Sequence, residues 1–281
     1  MRDAVLARID SFADWAVELQ RGLTAIPALS PDNGGDGELA KTEWWPAELA
    51  KLAFDSVERF DAPDPRAAGG VRPNLVARLR GASSARTLWI MSHLDIVPPG
   101  DLSKWHGDPY VLRVEDGRLF GRGVEDNQQA VVSSLLVARA FIDEGVRPPV
   151  DLALLFCADE ETGSHYGAHY LADHHPGLFG PTDMFLVPDA GEPDSSLVEV
   201  AEKSLWWLKV RTTGVQCHAS TPELGVNAFR AASALVSSLG SLYTTFGAVD
   251  PVFVPPISTF EPTKKEANVP NINTLPGDDV F

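Results

Sequence analysis

The chain has 281 residues, 44% of them hydrophobic, enough for one large domain with a buried core, or for a large domain and part of a second. Its net charge of −16 creates a field that repels nucleic acid and anionic membrane surfaces, so neither is expected as a partner. The two cysteines, Cys157 and Cys217, lie far apart and form neither a disulfide framework nor a CxxC metal knuckle, which points to a reducing, cytoplasmic setting.

The N-terminal stretch MRDAVLARIDSFADWAVEL mixes charged and apolar residues at helical spacing. It lacks the continuous apolar core of a signal peptide, and it reads as a surface helix ending near Ile26-Pro27. No later stretch approaches the roughly 20 apolar residues that a membrane span requires. A polar, glycine-rich loop, SPDNGGDGE, leads to a second helix rich in Trp, Ala and Leu, running to about Phe54. Short strands follow at DSVERF, NLVARL and TLWIM, and DGRLFGRG reads as a hairpin strand entering a tight loop. From Asn127 to Glu144 apolar residues recur at helical spacing, with Gly145 as the stop. VDLALLF and MFLV are nearly unbroken apolar runs, as expected of parallel strands covered by helices on both faces. Strands alternating with helices define an α/β sheet. Beyond about Glu202 the character changes: SLWWLKVRTTG reads as an antiparallel strand and a helix follows from about Val226 to Leu239, placing a domain boundary near residue 202.

The residues that follow the strands carry the chemistry, because ligands of open α/β sheets collect beyond the carboxyl ends of the strands. After TLWIM come His93 and Asp95; after VDLALLF come Asp159, Glu160 and Glu161; after MFLV comes Asp189. In His93-Leu94-Asp95 the two polar side chains share one side of an extended chain, so the carboxylate can orient the imidazole for metal binding. Asp126, in GRGVEDNQQ, stands at a helix start, where it is either an N-cap or a ligand offering both oxygens. Adjacent Glu160 and Glu161 repel one another unless a cation or a shared proton relieves them. Singly, each motif also fits a surface pair, a cap or a solvated turn. Together they form a His-plus-carboxylate set suited to two divalent cations.

With these motifs in order (SHLDIVPPGD, LFGRGVEDNQQA, FCADEETGS, VPDAG and GVQCHASTPELGVNA), the chain resembles the metallopeptidase and amidohydrolase family of succinyl-diaminopimelate desuccinylase, acetylornithine deacetylase, aminoacylase and glutamate carboxypeptidase. The resemblance runs from IPALSPDNGGDGE to PNINTLPGDDVF. It implies a zinc-peptidase-like mixed sheet flanked by helices (residues 1–201) and the start of an inserted ferredoxin-like α+β lid, or dimerisation, domain (residues 202–281). It implies two divalent metal ions, zinc first, with cobalt or manganese as alternatives. His93 and Asp189 would hold one, Glu161 the other together with a C-terminal histidine, and Asp126 both. Asp95 would orient His93 and Glu160 would be the general base. From the lid, His218 would stabilise the tetrahedral intermediate, across a homodimer, and Asn273 would contact the substrate carboxylate. A cis peptide between Asp126 and Asn127 is also implied. The activity implied is cleavage of the amide bond of a small N-acyl amino acid; the alternatives are a dipeptidase or carboxypeptidase of the same family, or an inactive truncated homologue serving as a binding or dimerisation module. Two departures stand out. Asn127-Gln128-Gln129 replaces the Asp-Lys-Gly common in the family, and the sequence stops inside the lid, before the segment that carries the last metal-binding histidine.

Overall fold

The computed structural model describes residues 2–192, 194, 196–269 and 271–281. They form two compact units, Met1–Glu192 and Pro193–Phe281.

The first unit opens with helices α1 (Arg2–Asp10) and α2 (Ala13–Thr24) where the periodicity predicts one. The chain turns at Ser11 and Phe12, which lets Phe12 enter a small cluster with Val5 and Ala140 instead of facing solvent. Helix α3 (Leu39–Leu49) ends short of the predicted Phe54, because the chain bends there and Leu52 folds back onto the core. Strands β1 (Ser56–Pro63), β2 (Val71–Leu79) and β3 (Thr87–His93) follow. The predicted hairpin is β4 (Arg113–Glu115) and β5 (Arg118–Phe120), turned by Asp116 and Gly117 at φ 50° and 74°, the primed geometry that two-residue hairpins favour. Helix α4 (Gln129–Asp143) closes at Gly145 (φ 62°), where Val146 N–H donates to Phe141 O at 3.0 Å in a Schellman cap. Strand β6 (Asp151–Cys157), helix α5 (Ala168–His174) and strand β7 (Met184–Leu186) complete the unit.

The five-stranded sheet has the order β1-β2-β6-β3-β7; β6, β3 and β7 run parallel, and β1 and β2 join antiparallel. It is the mixed α/β sheet that the motifs implied. Alternation along β6 supplies both of its faces. Leu152, Leu154 and Phe156 meet Leu19, Leu23, Trp45 and Leu135 from α2, α3 and α4, with Trp45 stacked on Phe156 at 5.5 Å between ring centroids. Ala153, Leu155 and Cys157 meet Leu171 of α5 on the other face. The apolar run at β7 departs from the expectation of burial on both faces: Met184, Phe185, Leu186 and Val187 are 41% to 49% exposed, because among the described residues β7 is an edge strand paired only with β3.

In the second unit, β8 (Arg211–Thr213) pairs antiparallel with β11 (Asp278–Val280), and β9 (Cys217–His218) with β10 (Thr274–Leu275). Helix α6 (Ala228–Ser238), capped by the Asn227 side chain, matches the predicted helix and precedes the short α7 (Leu242–Thr245). The predicted strand SLWWLKVRTTG is realised only at its end. No strand among the described residues pairs with 204–209, and Trp206 is 82% exposed; alternation without a partner ladder does not make a strand. Among the described residues no helix is long and apolar enough to cross a membrane.

Leu154 is fully buried at the centre of the sheet. Leu154→Ala should cost about 2–5 kcal/mol of stability, read as a lowered urea midpoint. Burial also pushes the Cys157 thiol up to about 12. In native protein at pH 8, an alkylating reagent should modify Cys217 alone, and Cys157 only after unfolding; mass spectrometry counts the adducts.

Candidate metal centre

Strand β3 delivers its last residue, His93, to the edge of the sheet, 3% exposed and in register with Cys157 at the end of β6. The imidazole Nδ1 faces Asp95, 3.1 Å from its carbonyl and 3.4 Å from Oδ1. On the opposite side, Nε2 lies 3.0 Å from Asp126 Oδ1 and 3.8 Å from both Glu160 Oε2 and Asp189 Oδ2. Donor atoms of His93, Asp126 and Asp189 all fall within 4.8 Å of one another. The structure thus brings together His93, Asp126, Glu160 and Asp189 from four separate segments, with Glu161 adjoining them on the same turn as Glu160.

Local structure explains each placement. Gly121 and Gly123 flank Arg122 so that the chain can pass close to Thr24 and Ile96; a Cβ on Gly123 (φ 82°) would meet Ile96 Cγ2 at 2.6 Å. The turn Val124–Gln128 then presents Asp126, and the Asp126–Asn127 peptide is cis, as the family resemblance implied. Asp95 is 1% exposed, and its two oxygens accept the backbone N–H groups of Glu160 and Glu161, each at 3.0 Å. One carboxylate therefore faces the imidazole and holds the turn that carries both glutamates.

Charge dominates this edge. Burial disfavours the charged form of His93, but the hydrogen bond and charge of Asp95, with the charges of Asp189 and Glu160, overcome it and push the imidazole up to about 9. Burial likewise opposes ionisation of Asp95, yet bonding to His93 and to the two backbone N–H groups holds its carboxyl below the usual range. Glu161 is pushed up to about 7 by burial and then by the nearby charge of Asp126. Glu160 is raised by burial and by Asp189, Asp95 and Asp126, against the pull of His93. Among the described residues, no lysine or arginine forms an ion pair with Asp126, Glu160, Glu161 or Asp189, and Glu161 Oε1 is buried without a hydrogen-bond partner. An imidazole among unpaired carboxylates, with a buried orphan oxygen beside it, is a donor set that fits divalent cations.

A layer of charge that sequence reasoning missed lies beneath. Arg72, at the start of β2 and fully buried, donates Nε to Glu38 Oε2 at 2.6 Å, binds Glu38 Oε1 through its second nitrogen, and reaches Asp159 Oδ1 at 3.2 Å. Asp159, at φ 64°, opens the Glu160-Glu161 turn, and Thr162 binds both Asp159 and Ser30. Lys41, also fully buried, donates Nζ to the carbonyl of Leu94, between His93 and Asp95, at 2.8 Å. Glu38 closes the glycine-rich loop and Arg72 lies just before NLVARL, in the first residues of β2, outside the predicted strand, so no local pattern singled them out.

His218 and Asn273 lie in the second unit, His218 in β9 and Asn273 in the turn that enters β10. His218 pairs with Thr274, its Nδ1 is 2.8 Å from Ser220 Oγ, and Ala219 N–H donates to Asn273 O.

Fold and site define the class, an α/β protein with a His-and-carboxylate cluster at its sheet edge that could hold a cation. The chain belongs to peptidase family M20/M25/M40, whose profile matches residues 89–267. It is 39% identical over 273 residues to an uncharacterized metallohydrolase of Methanococcus maripaludis, covering 95% of this chain and 66% of that protein. It is 28% identical to a succinyl-diaminopimelate desuccinylase of Verminephrobacter eiseniae, covering 94% and 66%. The chain thus spans just under two thirds of the length of these relatives. A crystal structure of a tripeptidase from Staphylococcus aureus shares the fold, with TM-score 0.65 and 18% identity over 95% of this chain and 64% of that one.

Arg72→Met should leave Glu38 and Asp159 as buried carboxylates without their partner and cost about 3–5 kcal/mol, measured by urea unfolding.

Proposed function

We propose that this chain carries the catalytic metal centre of a zinc-dependent amidohydrolase that cleaves a small N-acyl amino acid. The observation that carries the reading is the set of three carboxylates within 3.8 Å of one buried imidazole nitrogen, with no lysine or arginine paired to them among the described residues. The similarity to a desuccinylase at 28% identity supports the acyl-amino acid class of substrate.

His93, Asp126 and Asp189 would hold one cation, and Asp126 and Glu161 a second. Bound there, zinc supplies Lewis acidity and lowers the pKa of water toward neutrality. The rest of the chemistry falls to the protein. Asp95 fixes the His93 ring so that Nε2 faces the carboxylates, and it anchors the Glu160 backbone so that the base cannot swing away. The Glu160 carboxylate accepts a proton from the attacking water as the C–O bond forms, and delivers it to the amide nitrogen as the C–N bond breaks. From the second unit, His218 would donate to the developing oxyanion and Asn273 would bind the substrate carboxylate. We assign the second unit as a lid that closes on substrate and joins two copies of the chain.

Three predictions test this reading. Zinc titrated into chelator-treated protein should show one tight equivalent, since the first site has three donors and the second two, and any second equivalent should be weaker. Absence of any tight equivalent in calorimetry ends the metal-centre reading. Glu160→Gln should lower turnover by a factor of about 10² to 10⁴ while the tight zinc remains; equal turnover removes Glu160 from the mechanism. In a screen of N-acyl amino acids against dipeptides, the acyl amino acids should be hydrolysed, and preference for dipeptides would assign a peptidase instead.

A further inference from the structure

The stretch Asn127-Gln128-Gln129 takes no part in the reaction above, yet the Asn127 side chain is 1% exposed at the heart of the site. Its Oδ1 accepts the backbone N–H of His93 at 3.3 Å. Its Nδ2 donates to Asp189 Oδ1 at 2.5 Å and lies 3.4 Å from the carbonyl of Pro188. Two residues on, Gln129 Nε2 donates to the same Pro188 carbonyl at 2.6 Å. A backbone donor on one side of the Asn127 amide and two acceptors on the other determine which way it points.

These bonds matter because of where Asp189 sits. Strand β7 is held by β3 through three residue pairs only, the last being Ile90 with Leu186, and Asp189 lies three residues beyond. Among the described residues, every hydrogen bond that reaches Pro188 and Asp189 comes from Asn127 or Gln129. A carboxylate on an edge segment that has left its ladder would otherwise sample many positions. We propose that Asn127 is a positioning residue for the cation site, its carboxamide clamping Asp189 to the His93 backbone, with Gln129 as the second anchor. The proposal rests on the reading of His93, Asp126 and Asp189 as cation donors. Only a carboxamide serves both sides. An aspartate at 127 would offer Asp189 a second negative charge and no donor, and an apolar residue would bond to neither partner.

Zinc alone, titrated calorimetrically into the chelator-treated chain, tests the clamp in Asn127→Leu, Gln129→Leu and Leu154→Ala. Asn127→Leu should weaken zinc binding by about 10- to 100-fold, the usual effect of losing a group that orients a ligand. Gln129→Leu, whose side chain is only half-buried, should give a smaller loss in the same direction and serves if Asn127→Leu fails to fold. Leu154→Ala destabilises the sheet away from the clamp and should keep wild-type affinity. With cobalt(II) as the probe, the visible ligand-field bands should shift in the two clamp variants and not in Leu154→Ala, which separates positioning from loss of stability. Wild-type affinity and an unchanged cobalt spectrum in both clamp variants would overturn the clamp and leave the metal centre standing. A wild-type chain that takes up no zinc would overturn both.

Discussion

The carboxylate of Asp95 spans the gap between two parallel strand ends. It faces the imidazole at the end of β3, and its oxygens accept two successive backbone N–H groups on the turn after β6. A buried carboxylate is costly unless its acceptor capacity is used, and here it is used by groups that must stay where they are. The imidazole, the proposed base and the proposed second ligand thus share one reference point. Moving any of them would leave Asp95 with unmet acceptors in a dry environment, so the penalty for disorder is collective.

Beneath Asp95 the charge alternates in depth. Four carboxylates gather near the surface around His93, and Asp95 lies below them. Also fully buried are the cations Lys41 and Arg72; Arg72 pairs with Glu38 and Asp159, and Lys41 feels the charges of Asp95 and Glu38. Burial lowers Lys41 to about 8, against the pull of Asp95 and Glu38. The inner cations form no ion pair with the outer acidic layer among the described residues. That leaves the outermost carboxylates as the unneutralised donor set of the proposed cation site.

Much of this was legible in the chain. The apolar run at β6 showed a strand buried on both faces, DGRLFGRG showed a hairpin strand, and HxD, GRGxxD, the Glu pair and a strand-end aspartate pointed to a metal-type edge. Each is a local signal, set by side-chain periodicity or by turn geometry. What escaped were features that exist only once distant segments meet. Glu38 and Arg72 are 34 residues apart and find one another through packing. Asn127 was visible as a departure from the family pattern, but its bond to Asp189 crosses 62 residues and depends on where an edge strand stops. The overestimate at Leu205-Trp206-Trp207-Leu208 has the same origin in reverse: alternation is local, whereas a ladder needs a partner.

The mixed direction of the sheet has a consequence for which lengths of chain can change. Because β2 runs antiparallel to β6, Leu75 faces Phe156, and the beginning of β2 lies at the same edge where β6 and β3 finish. Arg72 therefore supports the turn after β6 from a strand travelling the other way. Its position is set by register rather than by any loop. Inserting or deleting one residue within β2 would shift Arg72 by a full pleat, turning its guanidinium away from Glu38 while carrying Leu75 and Ala77 out of one core face and Val76 out of the other. Natural length variation in this chain should therefore collect in loops such as the β4–β5 hairpin, and be nearly absent between Val71 and Leu79.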